Sequence, residues 1–121
     1  MEERRQFVRL DTRLEVQYSV LPTEAPQTAV TKDVGGGGIC IFADKELPPG
    51  TRLQLAMKLP GREKPVNFTA EVIWSEAYEV IGHSQRQRAV EVGVRFVEVS
   101  PQDHEAVMQH VILTHKQPQK K

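Results

Sequence analysis

From Thr12 the chain alternates between apolar and polar positions. Leu14, Val16, Tyr18 and Val20 fall on one face, and Arg13, Glu15, Gln17 and Ser19 on the other. A period of two predicts a half-buried β-strand. Pro22 and Pro26 interrupt it, because proline cannot donate to a ladder. Thr28, Val30 and Lys32 resume the pattern as a second strand ending at the run Gly35-Gly36-Gly37-Gly38. Ile39, Cys40, Ile41 and Phe42 form a short third strand without a polar face. Beyond the turn at Pro48-Pro49-Gly50, Leu53, Leu55, Met57 and Leu59 mark the inner side of a fourth. After Pro60-Gly61, Val66, Phe68, Ala70, Val72 and Trp74 line the inner face of a long fifth strand. Its parity continues through Tyr78 and Val80 to a turn at Gly82-His83-Ser84, and Val90, Val92, Val94 and Phe96 return as a sixth.

A helix follows. Ser100 is a natural N-cap, Pro101 suits the first helical position, and Asp103 lies three residues after the cap. Val107, Met108, Val111 and Ile112 then recur at helical spacing. The expected fold is mainly β: a six-stranded antiparallel β-barrel with a C-terminal α-helix. It occupies residues 12–114 as one domain. Residues 1–11 read as a mobile, charged arm with Phe7, Val8 and Leu10 as anchors, and residues 115–121 as a disordered tail.

The 121 residues carry no formal net charge, so no global field draws the chain to nucleic acid or membrane. Charge is uneven at the start, where Arg4, Arg5, Arg9 and Arg13 outnumber Glu2, Glu3 and Asp11. No run approaches the ~18 apolar residues of a membrane span, and no secretory core follows the charged start. The single cysteine excludes an internal disulfide and fits a reducing compartment. A cytoplasmic location is the expectation.

Catalytic chemistry finds no support. Cys40 lies in an apolar run and reads as a packing residue. His83, His104, His110 and His115 show no metal-ligand spacing with a neighbouring carboxylate, and neither nucleophile-elbow nor zinc-hydrolase nor phosphate-loop motifs occur. The glycine run feeds a strand rather than a helix, so a dipole-assisted phosphate loop is not expected. We therefore expect no catalytic residues, no metal and no cofactor. What remains is the glycine run, whose bare backbone suits a turn or a close-approaching ligand, and Asp33 just before it, which can accept bonds from either. Arg5 and Arg9, four apart, can lie on one side of a helical turn or wrap a ligand. A guanidinium matches guanine O6 and N7 bidentately, stacks on bases and clamps phosphates. Charge alone favours a solvated basic arm.

Arg5-Gln6-Phe7-Val8-Arg9, followed by Asp33-x-Gly35-x-x-Gly38, resembles the PilZ domain family. Its members carry R-x-x-x-R ahead of the first strand and D/N-x-S-x-x-G between the second and third. Ala70-Glu71-Val72-Ile73-Trp74 and Val92-Gly93-Val94-Arg95-Phe96 are similar to the family's later strands. The resemblance implies a non-enzymatic receptor for cyclic di-GMP that signals through an unidentified protein partner. It implies that Arg5 and Arg9 bind guanine edge and phosphates, Asp33 the Watson–Crick edge, and Gly38 lets the loop close beneath the base. Gly35 stands where the family has serine, so one hydroxyl contact is missing. Arg4, just before the motif, implies two stacked ligands per chain. The other reading is a degenerate PilZ-like scaffold that has lost nucleotide binding and acts by protein contacts. A third, oligonucleotide binding on a small barrel, is opposed by the neutral charge and the lack of an exposed aromatic strand face.

Overall fold

In the computed structural model the described residues are 9–22, 25–81 and 86–116. They form β1 (Arg9–Asp11), β2 (Glu15–Val20), β3 (Gln27–Gly35), β4 (Gly38–Ala43), β5 (Arg52–Met57), β6 (Val66–Ile81), β7 (Arg86–Val99) and α1 (Pro101–Lys116). Every pairing is antiparallel. The strands β3-β2-β5-β6-β7-β4 follow one another by hydrogen bonding, and β4 pairs back onto β3. Six strands therefore close into a barrel, as the alternation predicts. The seventh, β1, is an addition: it lies along the same edge of β3 as β2, pairing Arg9 with Gly35 and Asp11 with Asp33. The sequence pattern groups residues 9–11 with the N-terminal arm, whereas they pair with β3; three residues are too few for periodicity to reveal.

The interior is filled as the period-two pattern requires. Leu14, Val16 and Tyr18, Leu53, Leu55 and Met57, Val66, Phe68, Ala70 and Val72, and Val90, Val92 and Val94 are all buried in one cluster. Helix α1 contributes Val107 and Val111. Ile112, expected on the same stripe, is exposed, so the buried stripe is narrower than the spacing suggests. The helix starts as predicted: Ser100 Oγ accepts the Asp103 N–H at 3.0 Å, and the Ser100 carbonyl accepts the His104 N–H at 2.9 Å.

Parity fails at three register shifts; the one between Thr69 and Ala70 of β6 leaves Val97 of β7 extra, and the other two bear on the site. On β3, Thr31 faces Ile41 but Asp33 faces Cys40, leaving Lys32 as an extra residue. On β6, Val72 faces Val94 but Trp74 faces Gly93, leaving Ile73 extra. A bulge exchanges inside for outside in the residues beyond it. Trp74 and Tyr78, expected inward, are accordingly 41% and 40% exposed.

The β3 bulge lies opposite the break between β1 and β2. There Thr31, the buried polar residue of the core, repairs the ladder. Its Oγ1 accepts the Leu14 N–H at 2.9 Å and donates to the Thr12 carbonyl at 2.5 Å. Thr31→Val keeps the shape but strands both groups, and a stranded buried polar group costs about 1–3 kcal/mol. Urea unfolding of this variant is expected to show a loss of that order with an unchanged m-value.

Candidate ligand-binding cleft

The two bulges serve one outer row. Across four strands, Asp33 of β3 pairs with Cys40 of β4, Cys40 with Gly93 of β7, and Gly93 with Trp74 of β6. Without the Lys32 bulge Asp33 would enter the core with Ala29 and Thr31, and without the Ile73 bulge Trp74 would follow Val72 inward. The middle of the row is made of small residues, so the barrel wall is dented there. The indole of Trp74 lies against Gly93, where an added Cβ would collide with the ring.

The dent is a cleft of about 200 Å³ lined by Arg9, Asp33, Ile39, Cys40, Ile73, Trp74, Gly93 and Val94. One end is charged: the Arg9 guanidinium donates to Asp33 Oδ1 through both Nε, at 3.1 Å, and a terminal nitrogen. The other end is flat and apolar, with Ile73 and Trp74 half exposed. Cys40 forms part of the floor. Burial pushes its thiol up to about 11, with the nearby Asp33 carboxylate adding to the effect, so it is a poor nucleophile at neutral pH. Behind the cleft the bulged Lys32 reaches Glu91 of β7 at 3.2 Å, and Tyr78 donates to the same carboxylate at 2.7 Å. The hydrogen bond and then the charge of Glu91 raise the Lys32 pKa, and Tyr78's own hydrogen bond to Glu91 leads its upward shift. These contacts fix the bulge against the opposite strand.

Of the residues singled out in the sequence, Arg9 and Asp33 meet in the cleft. Gly35 lies directly across from Arg9, two residues beyond Asp33 on the same face of β3. Gly38 pairs with Arg95 at the rim. Its lack of a side chain has a reason in the barrel itself: a Cβ there would strike the Val94 carbonyl oxygen and come within 2.9 Å of the Arg95 Cα. None of Gly35 to Gly38 adopts a left-handed φ, and the strands run into the glycines from both sides, so the turn itself is only Gly36-Gly37. Arg4 and Arg5 lie outside the described residues. Trp74, Ile73, Gly93 and Cys40 were not read as site residues. The available signal was the unbroken apolar triplet Val72-Ile73-Trp74 inside an alternating strand, which marks a change of face. Among the described residues no group of three or more His, Cys, Asp or Glu is placed to hold a metal, and no helix is long and apolar enough to cross a membrane.

The PilZ domain family model matches residues 3–113. The chain belongs to the PilZ family. None of the curated protein sequences matches it. Among solved structures it is similar to the PilZ domain of YcgR from Escherichia coli, described with c-di-GMP, at 20% identity and a TM-score of 0.71, covering 93% of this chain and 91% of that one. It is also similar to the inhibitor of motility MotI/DgrA of Bacillus subtilis, at 22% identity and a TM-score of 0.71, covering 97% of this chain and 55% of that one. The MrkH–c-di-GMP complex of K. pneumonia follows at 13% identity and 0.70, covering 96% and 55%. The chain thus spans most of an isolated PilZ domain and little more than half of the two longer proteins. At these identities the likeness is one of fold.

The PilZ barrel makes Gly38 a structural requirement irrespective of any ligand. Gly38→Ala forces β4 and β7 apart at the rim, and such overpacking costs about 1–3 kcal/mol. A lowered denaturation midpoint in the ligand-free protein is the expected result.

Proposed function

We propose that this chain is a non-enzymatic cyclic di-GMP receptor whose N-terminal arm folds over the ligand and whose altered surface is read by a protein partner. The observation that carries this reading is the convergence of Arg9 and Asp33, two of the motif residues, on one dented row that ends in an exposed indole. Guanine offers what each end of that row lacks. Its N1 and N2 hydrogens need an acceptor such as Asp33, its O6 and N7 need a guanidinium, and its face can stack on Trp74, where stacking contributes about 1–3 kcal/mol per base. The cleft, at about 200 Å³, is below the roughly 300–1,000 Å³ of complete ligand pockets. It suits one base, and the phosphates and second base then require cover from the segment before Arg9, which carries Arg4 and Arg5.

Binding has to divert Arg9 from Asp33. The pair is about a quarter exposed on each side, so both groups need new partners when it parts. Charge-assisted bonds to phosphate or guanine are worth about 1.5–3 kcal/mol each, so the exchange favours the ligand. The same pair, together with Gly35 in place of serine, is what favours the second reading: a PilZ scaffold in which Arg9 and Asp33 serve only each other and the protein acts through its surface alone.

Calorimetric titration with cyclic di-GMP separates the two. The receptor reading expects saturable binding, with Arg5→Ala and Arg9→Ala each weakening it at least about thirty-fold, the equivalent of about 2 kcal/mol. It also expects two ligands per chain at saturation, reduced to one by Arg4→Ala. Absence of binding heat leaves the scaffold reading, whereas binding with unchanged affinity in both arginine variants would sink the proposed site. Gly35→Ser places a hydroxyl directly across from Arg9, at a position with no left-handed φ to oppose it. Affinity is expected to rise by up to about tenfold, one hydrogen bond's worth; weaker binding would show that the added side chain blocks the arginine.

A further inference from the structure

The Gly36-Gly37 turn has no side chains of its own with which to hold a shape, and glycine loses more conformational entropy on ordering than any other residue. Its two carbonyls are instead gripped from outside the hairpin. The Gly37 carbonyl accepts the Phe96 N–H of β7 at 3.0 Å. The Gly36 carbonyl pairs with Nε2 of His104, on α1, at 2.8 Å, across 68 positions of sequence. A carbonyl can only accept, so Nε2 carries the hydrogen in this contact.

His104 is well set for this reach. It lies three residues before Val107 and seven before Val111, on the stripe that α1 buries. Its ring meets the Phe96 ring edge to face at 6.0 Å between centroids, and Phe96 meets Phe68 the same way at 4.7 Å. The helical turn that bears it is pinned to the start of β6, where Asp103 Oδ2 accepts the Asn67 N–H at 3.2 Å. The imidazole therefore reaches from a braced helix to the one part of the cleft rim that cannot brace itself. Gly36 is next to Gly35, which faces Arg9, and three residues from Asp33.

We propose that His104 is the positioning residue of the glycine turn: its Nε2–H holds the Gly36 carbonyl, and through it the Asp33–Gly35 edge of the cleft, in register with α1. It is not among the residues that line the cleft; it sets where the ligand's partners stand. By linkage, a ligand that favours the held turn strengthens the tether and steadies the first turn of α1 by the same factor. The inference deepens the cyclic di-GMP reading and rests on it for the ligand, but the tether itself is a property of the ligand-free protein.

The test uses two substitutions. His104→Gln keeps an N–H donor at the Nε2 position, whereas His104→Leu keeps bulk and removes the donor. In ligand-free protein, amide exchange across Gly35 to Gly38 is expected to accelerate in His104→Leu and to stay within about twofold of the parent in His104→Gln, with exchange in β2 and β5 unchanged. In cyclic di-GMP titrations the leucine variant is expected to bind about two- to thirteen-fold more weakly, the range for one hydrogen bond, and the glutamine variant as the parent does. Unchanged glycine exchange in His104→Leu overturns the tether, and so does a glutamine variant that behaves like leucine, because ring packing rather than the donor would then be responsible. Normal affinity in a leucine variant with accelerated exchange overturns the positioning role. If the parent chain itself gives no binding heat, the ligand reading fails, and the exchange pattern still decides the tether.

Discussion

Closing six strands into a ring uses the hydrogen-bonding edge of every one of them, and the rest of this structure follows from that closure. With β4 paired back onto β3, the barrel wall offers a ligand almost no free backbone. Recognition is left to side chains on the outer surface and to the turns at the rim. Strict alternation would send Asp33 and Trp74 into the core, where an unpaired carboxylate is costly. Two single-residue insertions, at Lys32 and Ile73, reverse their facing. A bulge interrupts the ladder, and here the interruption is mended: Thr31 supplies the bonds missing between β1 and β2, and Lys32 is drawn across to Glu91.

The cleft combines fixed and adjustable parts. Cys40 and Gly93 are paired on both sides, so the floor belongs to the closed barrel, whereas Trp74 lies beyond the β5–β6 ladder, which ends at Glu71, and is paired with β7 alone. Arg9 belongs to a three-residue strand held on one edge, and its partner Asp33 is partly exposed. A doubly paired floor between two singly paired ends suits a pocket whose base is set while its charges remain exchangeable.

Most of the fold was legible because side-chain burial and strand period are the same information. The six barrel strands and the capped helix could be read from Leu14-x-Val16-x-Tyr18, Leu53-x-Leu55-x-Met57 and Ser100-Pro101-x-Asp103. The outer row was not, because a bulge is a change in hydrogen-bond register and leaves only a trace in the side-chain pattern. Trp74 followed Val72 in parity and so was read as core, although the apolar Ile73 between them hinted otherwise. Asp33 was found for a different reason, its place before the glycines, and that reasoning was blind to the inserted Lys32 that turns it outward. The glycines were read as conformational freedom; at Gly38 the need is for space beside Val94, which becomes visible only when β4 and β7 are side by side. Arg4 and Arg5 remain readings of the sequence.

The position of Trp74 also gives the molecule a window on itself. It is the sole tryptophan of the chain, its ring rests against the bare backbone of Gly93, and 41% of it faces solvent. Indole emission follows the polarity around the ring, and no other residue contributes to that signal. Indole emission from this protein thus comes from one edge of the cleft, and whatever covers that edge registers as a change in its colour or intensity without any label attached.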